Sequence, residues 1–272
     1  MKFGFVLPHM DPFLAIELAR EAETNGWDGF FVWEPVWGID PWVLLGALAV
    51  VTERIKLGTL LTPPSRRRPW KLAGESATLD ILSKGRAILS VGLGALDTGF
   101  EAFGEVTDRK TRAELLDESI DILTGLWKGK PLAYQGKHYH LEETPFGPGP
   151  AAVQTPRIPI WVVAAWGWPR SMARALKCDG ILPAILGDDK RWGELKPEHI
   201  REIKAYVEAN RDSTSPFDII VEKTSPGEDK GAAAEVVAPW AAAGATWWIE
   251  SMWEEKDQGA WRERLRQGPP EV

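Results

Sequence analysis

The stretch that decides the fold runs from Leu57 to Gly104 and reads LGTLLTPPSRRRPWKLAGESATLDILSKGRAILSVGLGALDTGFEAFG. It holds most of one apolar, strand-like run, Lys56 to Thr62, and all of a second, Arg86 to Val91. Each ends in small or turn-forming residues: Pro63-Pro64 after the first and Gly92-Leu93-Gly94 after the second. Between them, Pro69 to Leu82 has the composition and spacing of a helix. Two strands joined by a helix, with loops opening at the ends of both strands, form the unit from which a barrel builds its mouth.

The same alternation extends in both directions. Strand-like runs fall at Phe3 to Leu7, Gly29 to Trp33, Lys56 to Leu61, Ala87 to Val91, Ile160 to Val163, Gly180 to Leu182, Phe217 to Val221 and Thr246 to Glu250. Helix-like segments separate most of them. The segment from Arg109 to Trp127 sets Leu116, Ile120, Leu123 and Trp127 on one stripe, with Glu114, Asp117 and Asp121 predicted to face away. About eight strand-helix units in 272 residues predict an α/β fold, a single (β/α)8 TIM-type barrel that takes up the whole chain, 1–272. The one long departure is 128–158, where five prolines and four glycines exclude a helix. This is read as an insertion after the fourth helix, with Tyr134 to Leu141 as a hairpin arm.

Charge and cysteine usage exclude several classes. A net charge of -7, with Arg66-Arg67-Arg68 as the only dense basic cluster, gives no nucleic-acid footprint. One cysteine, Cys178, leaves no disulfide framework. Four histidines, two of them the His138-x-His140 pair on the hairpin arm, do not complete a metal site, so no metal is expected. The opening MKFGFVLPHMDP has only a five-residue apolar run before Pro8, too short for a signal core or a membrane span. The expected setting is cytoplasmic, with a small molecule as partner and neither nucleic acid nor membrane.

Barrel chemistry sits at the carboxyl ends of the strands. The residues there are His9, Glu34, Leu60 to Thr62, Gly92 to Gly94, Ala164 to Trp168, Pro183, Glu222, and Glu250 to Trp253. His9 and Glu34 are the candidate catalytic residues. A carboxylate ending a strand beside Trp33 can act as acid or base, or can anchor a loop. Fifteen tryptophans exceed ordinary structural need, and planar apolar walls suit a flat heteroaromatic ligand. Gly92-Leu93-Gly94 is not a dinucleotide fingerprint, because Asp97 stands at the third glycine position. Trp166-Gly167-Trp168-Pro169, leading into a helix, has the form of a loop that offers backbone N–H groups to a phosphate.

Over these strand ends the chain resembles the bacterial luciferase-like superfamily, flavin- or deazaflavin-dependent oxidoreductases built on one barrel. The resemblance implies a cofactor site at Leu60, Leu61, Thr62, Gly92, Gly94, Arg112, Ala165, Trp166 and Gly167, with a cis peptide at Leu60-Leu61 backing the ring. It implies FMN as cofactor, with reduced FMN and oxygen acting on a small organic substrate in a monooxygenase. The alternatives are hydride transfer with the deazaflavin coenzyme F420, and a non-catalytic flavin-binding protein. A separate flavin reductase and a homodimer are the partners that it suggests. The sequence departs from the family at Trp33-Glu34-Pro35, where a Ser-Asp-His-like triplet is usual, and at Gly99, where an acid is frequent. Leu93 replaces one of two phosphate-gripping arginines, and Ala165-Trp166 replace a polar pair. Arg66 to Arg68 are available for an anionic tail or for solvation.

Overall fold

Parallel strands buried on both faces need apolar residues at nearly every position, not an alternating pattern. The runs above have that character. In a computed structural model, which describes residues 1–8, 11–143, 149–187 and 192–272, eight of them form β1 (Lys2–Leu7), β2 (Gly29–Val32), β3 (Lys56–Thr62), β4 (Ala87–Val91), β7 (Ile160–Ala165), β8 (Gly180–Ala184), β9 (Asp218–Lys223) and β10 (Trp247–Ser251). They close into a parallel barrel in the order β1-β10-β9-β8-β7-β4-β3-β2. The predicted TIM-type fold is the observed one. β5 (Tyr134–Gln135) and β6 (His140–Leu141) pair antiparallel as the expected hairpin.

Helices α1 (Pro12–Thr24), α2 (Pro41–Val51), α3 (Pro69–Leu82), α4 (Arg109–Leu126), α5 (Pro169–Leu176), α6 (Pro197–Asn210), α7 (Lys230–Ala243) and α8 (Gln258–Arg266) surround the strands. Several starts are written locally. Asp11, Asp40, Asp108, Asp229 and Asp257 each accept a hydrogen bond from a first-turn N–H, and Pro12 and Pro41 follow at the first helical position, where a missing N–H costs nothing.

Inside the barrel, Phe31, Trp161 and Trp247 pack with ring centroids 5.1 to 6.1 Å apart and fill the end from which the strands start. Glycine makes the room. A Cβ on Gly29 would lie 2.6 Å from the Phe31 ring, and one on Gly180 would lie 2.5 Å from Trp161. Above this plug, Val6, Leu60, Ile88, Leu182, Ile220 and Ile249 form an apolar layer. The larger core lies between strands and helices.

Glu114, Asp117 and Asp121 of α4 lie off the apolar stripe, and two of them are engaged by neighbouring elements. Asp121 is exposed, but Glu114 accepts from Lys137 Nζ at 2.7 Å and lies 2.9 Å from His138 Nε2. Asp117 pairs with Arg174 of α5. The helix is covered twice, by the barrel and by the hairpin, with Leu115, Ile122 and Tyr139 forming a small second core. Lys137 and His138 hold the Glu114 carboxyl down at about 2 through hydrogen bonds to its charged form.

Candidate active site

At the carboxyl end of the barrel a cavity of about 1430 Å³ opens above the apolar layer. Its wall on one side is Leu60, Leu61, Pro63 and Gly94, from the ends of β3 and β4. The Leu60-Leu61 peptide is cis, as the resemblance implied. Small residues shape the wall around it. A Cβ on Gly92 would lie 2.9 Å from the Leu61 side chain, and one on Gly94, at φ +76°, would lie 2.6 Å from the Phe100 ring.

Glu34 reaches the same cavity from the loop after β2. It is buried, and both of its oxygens are engaged: Thr62 Oγ1 donates to one at 2.8 Å and Arg67 Nε to the other at 2.8 Å. Arg66 adds a charge at 3.7 Å and donates to the Pro35 and Val36 carbonyls at 2.9 and 3.0 Å. Arg67 continues to Glu75 at 2.9 Å. The arginines read from sequence as solvated or tail-binding are therefore divided. Arg66 and Arg67 are built into this network, and Arg68 is exposed and stacks on Trp70.

Across α4 and α5 the wall turns basic, with Arg109, Arg112, Arg170 and Arg174 all facing the cavity. Arg112 is buried and donates to the Leu93 and Gly94 carbonyls at 2.6 and 3.1 Å, while its Nε has no hydrogen-bond partner. Burial, with the neighbouring Arg109 charge, holds the Arg112 pKa below its ordinary value. Arg109 lies over the Trp168 ring. Arg174 is tied to Asp117, with its second nitrogen 2.9 Å from the carboxylate. An apolar slot beside a guanidinium-lined rim accepts a molecule with a flat apolar body and an anionic end.

Residues 8 to 269 match the family model described as luciferase-like monooxygenase. The chain belongs to this family. Among curated luciferase-like relatives, the F420-dependent glucose-6-phosphate dehydrogenase of Nakamurella multipartita is 31% identical over 229 residues, covering 72% of this chain and 64% of that one. The oxygenase component of the flavin-dependent trigonelline monooxygenase of Acinetobacter baylyi is 31% identical over 152 residues, covering 56% and 41%. The alignments thus span less than two thirds of these relatives. In structure, the coenzyme F420 dependent tetrahydromethanopterin reductase from Methanopyrus kandleri superposes with a TM-score of 0.78 at 18% identity, over 98% of each chain.

The luciferase-like pocket brings together Glu34, Leu60, Leu61, Gly94, Arg112 and Ala165. Thr62 stands behind the wall, bonded to Glu34 and Thr59. Gly92 lies against Leu61. Trp166 turns away, stacking on Tyr206 and donating to Glu202 at 3.1 Å. Gly167 is exposed at φ +79°, and it is Ser171 that takes the Ala165 N–H, at 2.9 Å. His9 lies outside the described residues. Of the tryptophans, Trp33, Trp168, Trp192 and Trp253 line the cavity, whereas Trp161, Trp247 and Trp248 belong to the cores. No described helix is long and apolar enough to cross a membrane.

One wall carboxyl was passed over when catalytic residues were chosen from sequence. Glu222 of β9 lines the cavity and accepts from the Trp253 indole N–H. Burial raises its pKa above the ordinary 4.5, against the lowering effect of that hydrogen bond. The signal was its period-two relation to Ile220, which sets both side chains on the barrel interior.

Proposed function

We propose that this chain is a deazaflavin-dependent oxidoreductase that exchanges hydride with a small organic substrate. The observation that carries the reading is the basic rim of Arg109, Arg112, Arg170 and Arg174 beside the apolar wall of Leu60 and Leu61. A single phosphate needs fewer guanidinium groups than this, whereas the longer anionic tail of coenzyme F420 can run along all four. The F420-dependent relatives named above support the same choice. Bound there, a deazaflavin supplies hydride transfer.

The chain's own residues supply the setting. Leu60 and Leu61 back the ring, and Arg112 fixes the Gly94 loop through its two carbonyl contacts while its guanidinium charge borders the cavity. Glu34 positions the β2 and β3 loops through Thr62, Arg66 and Arg67. Leu182, Ile220 and Trp253 exclude water from the opposite wall. The reading with FMN, oxygen and a separate reductase is supported by the tryptophan-rich wall and by the trigonelline monooxygenase relative.

Titration with F420, FMN and riboflavin tests the assignment. F420 is expected to bind more tightly than FMN. Arg112→Ala should weaken FMN by about tenfold to hundredfold, the worth of a charge-assisted bond, and riboflavin much less. Tighter FMN binding favours the oxygenase reading. Equal losses for FMN and riboflavin would assign Arg112 to the Gly94 loop alone. A cofactor that binds and is never turned over would return the non-catalytic reading.

The homodimer is supported by α2, whose sequence PWVLLGALAVV is apolar all round although Val43 and Val50 are 77% and 66% exposed. Sedimentation velocity should give twice the 30.2 kDa chain mass, and Val43→Asp should give the monomer.

A further inference from the structure

The network around Glu34 does not extend to Glu222, an inward-facing pocket carboxyl that makes no ion pair among the described residues. Glu222 projects into the barrel one step above Ile220, level with Ile249 of β10 in the register. Around the ring of strands, β9 lies opposite β3, with three strands between them on either side. Glu222 therefore faces Leu60 and Leu61 across the mouth, and anything lying on that wall has its free face toward the carboxyl. The surroundings are apolar. β8 contributes Pro183 and Ala184, and β10 contributes Ile249, followed by Ser251 and Trp253.

The charges nearest in sequence are engaged with other groups, although Lys223 also borders the cavity. Lys223 places its Nζ over the Trp240 ring, and Glu250 is buried on the outer side with Ser225 and Arg264. Asp97 and Glu194 line the cavity from exposed segments, and Glu254 and Glu255 are exposed or partly exposed beyond β10. The four wall arginines belong to α4 and α5 or their first turns. Among the described residues, Trp253 is the only hydrogen-bond partner of Glu222, and no charge is near enough to set its titration. A carboxyl in such surroundings favours its neutral form, and only the neutral form has a proton to donate.

We propose that Glu222 is a catalytic acid of this pocket, hydrogen-bonding the oxygen of a substrate carbonyl and protonating it as that carbonyl is reduced to an alcohol. The inference rests on the hydride-transfer reading above. In the step, the carbonyl carbon accepts a hydride from the reduced deazaflavin and forms a C–H bond. The π pair moves to oxygen, which forms an O–H bond with the Glu222 proton. The deazaflavin is oxidised, the carbonyl is reduced, and Glu222 is left as a carboxylate that regains a proton from solvent. The substrate class is a small, largely apolar ketone or aldehyde, since its remaining contacts are Leu182, Ile220, Pro183 and Trp253.

Binding of cyclohexanone, followed by tryptophan fluorescence across the pH range, tests this without turnover. Because the ligand needs the neutral carboxyl, its affinity should fall about tenfold for each pH unit above the Glu222 midpoint. In Glu222→Gln the affinity should no longer depend on pH. Trp253→Phe removes the N–H that favours the ionised form, so the fall should begin at higher pH, and this variant serves if the first does not fold. No binding at any pH, or a pH dependence that survives in Glu222→Gln, overturns the proposal. Titration of the same proteins with F420 separates the two readings. If wild type binds no F420, the hydride-transfer reading fails, while the cyclohexanone result still shows whether Glu222 binds a carbonyl oxygen.

Discussion

Glu34 and Glu222 stand at the ends of strands on the same barrel mouth and line the same cavity. Around Glu34 the chain has gathered a hydroxyl and two guanidinium groups, so the carboxylate fixes the β2 and β3 loops to each other. Around Glu222 it has placed aliphatic side chains and one indole N–H. One carboxyl is tied into a hydrogen-bonded network with two arginines, and the other is held by burial toward its neutral form. The residue type at a strand end thus names a candidate, and its neighbours decide whether it holds structure or handles protons.

Removing the anchored carboxylate should give the larger effect. Glu34→Ala removes the carboxylate that Arg66 and Arg67 share, leaving Arg67 with Glu75 at 2.9 Å and Asp40 at 3.6 Å, and Arg66 with Glu105 at 3.6 Å. A loss of about 1–3 kcal/mol, the cost of leaving buried hydrogen-bonding groups without their partner, is expected in urea unfolding at neutral pH. A loss below about 1 kcal/mol would break the comparison, because it is what an exposed pair contributes.

The opposite carboxyl should give a smaller effect of opposite sign. The folded-state pKa of Glu222 is raised above 4.5, so the stability it confers is present below that pH and is lost as pH rises through the folded value. Glu222→Gln has no such loss. Its melting temperature relative to wild type should therefore climb across that window, by about 2–4 °C for each kcal/mol. A gap that stays flat would show that the two carboxyls differ less than their neighbours suggest.

The barrel was legible in the sequence because strands buried on both faces leave continuous apolar runs, and all eight were found. Their ends were less legible. β7, β8 and β9 each continue two residues past the predicted stop, through Ala165, Ala184 and Lys223. A proline in β8 and charged residues in β9 conceal the continuation. That extension turns Glu222 from a loop residue into an inward-facing one. The Glu34 network was hidden for another reason. Nothing in Arg66-Arg67-Arg68 as a string shows that the short turn Pro64–Arg66 folds back toward the β2 loop, which only the closed barrel brings near. The side-chain direction of Trp166 was not legible either, because its ring packs edge-on against Tyr206 of α6, a contact distant in sequence.

The plug of Phe31, Trp161 and Trp247 has a kinetic consequence. Where these rings fill the lower barrel, the pocket above is closed at its floor among the described residues, and traffic through the mouth is constrained to an order. A molecule seated against the apolar layer must enter before anything that closes the mouth over it, and must wait for that second molecule to leave. Inhibition patterns in which one reactant traps the other are the natural behaviour of a vessel closed at its floor.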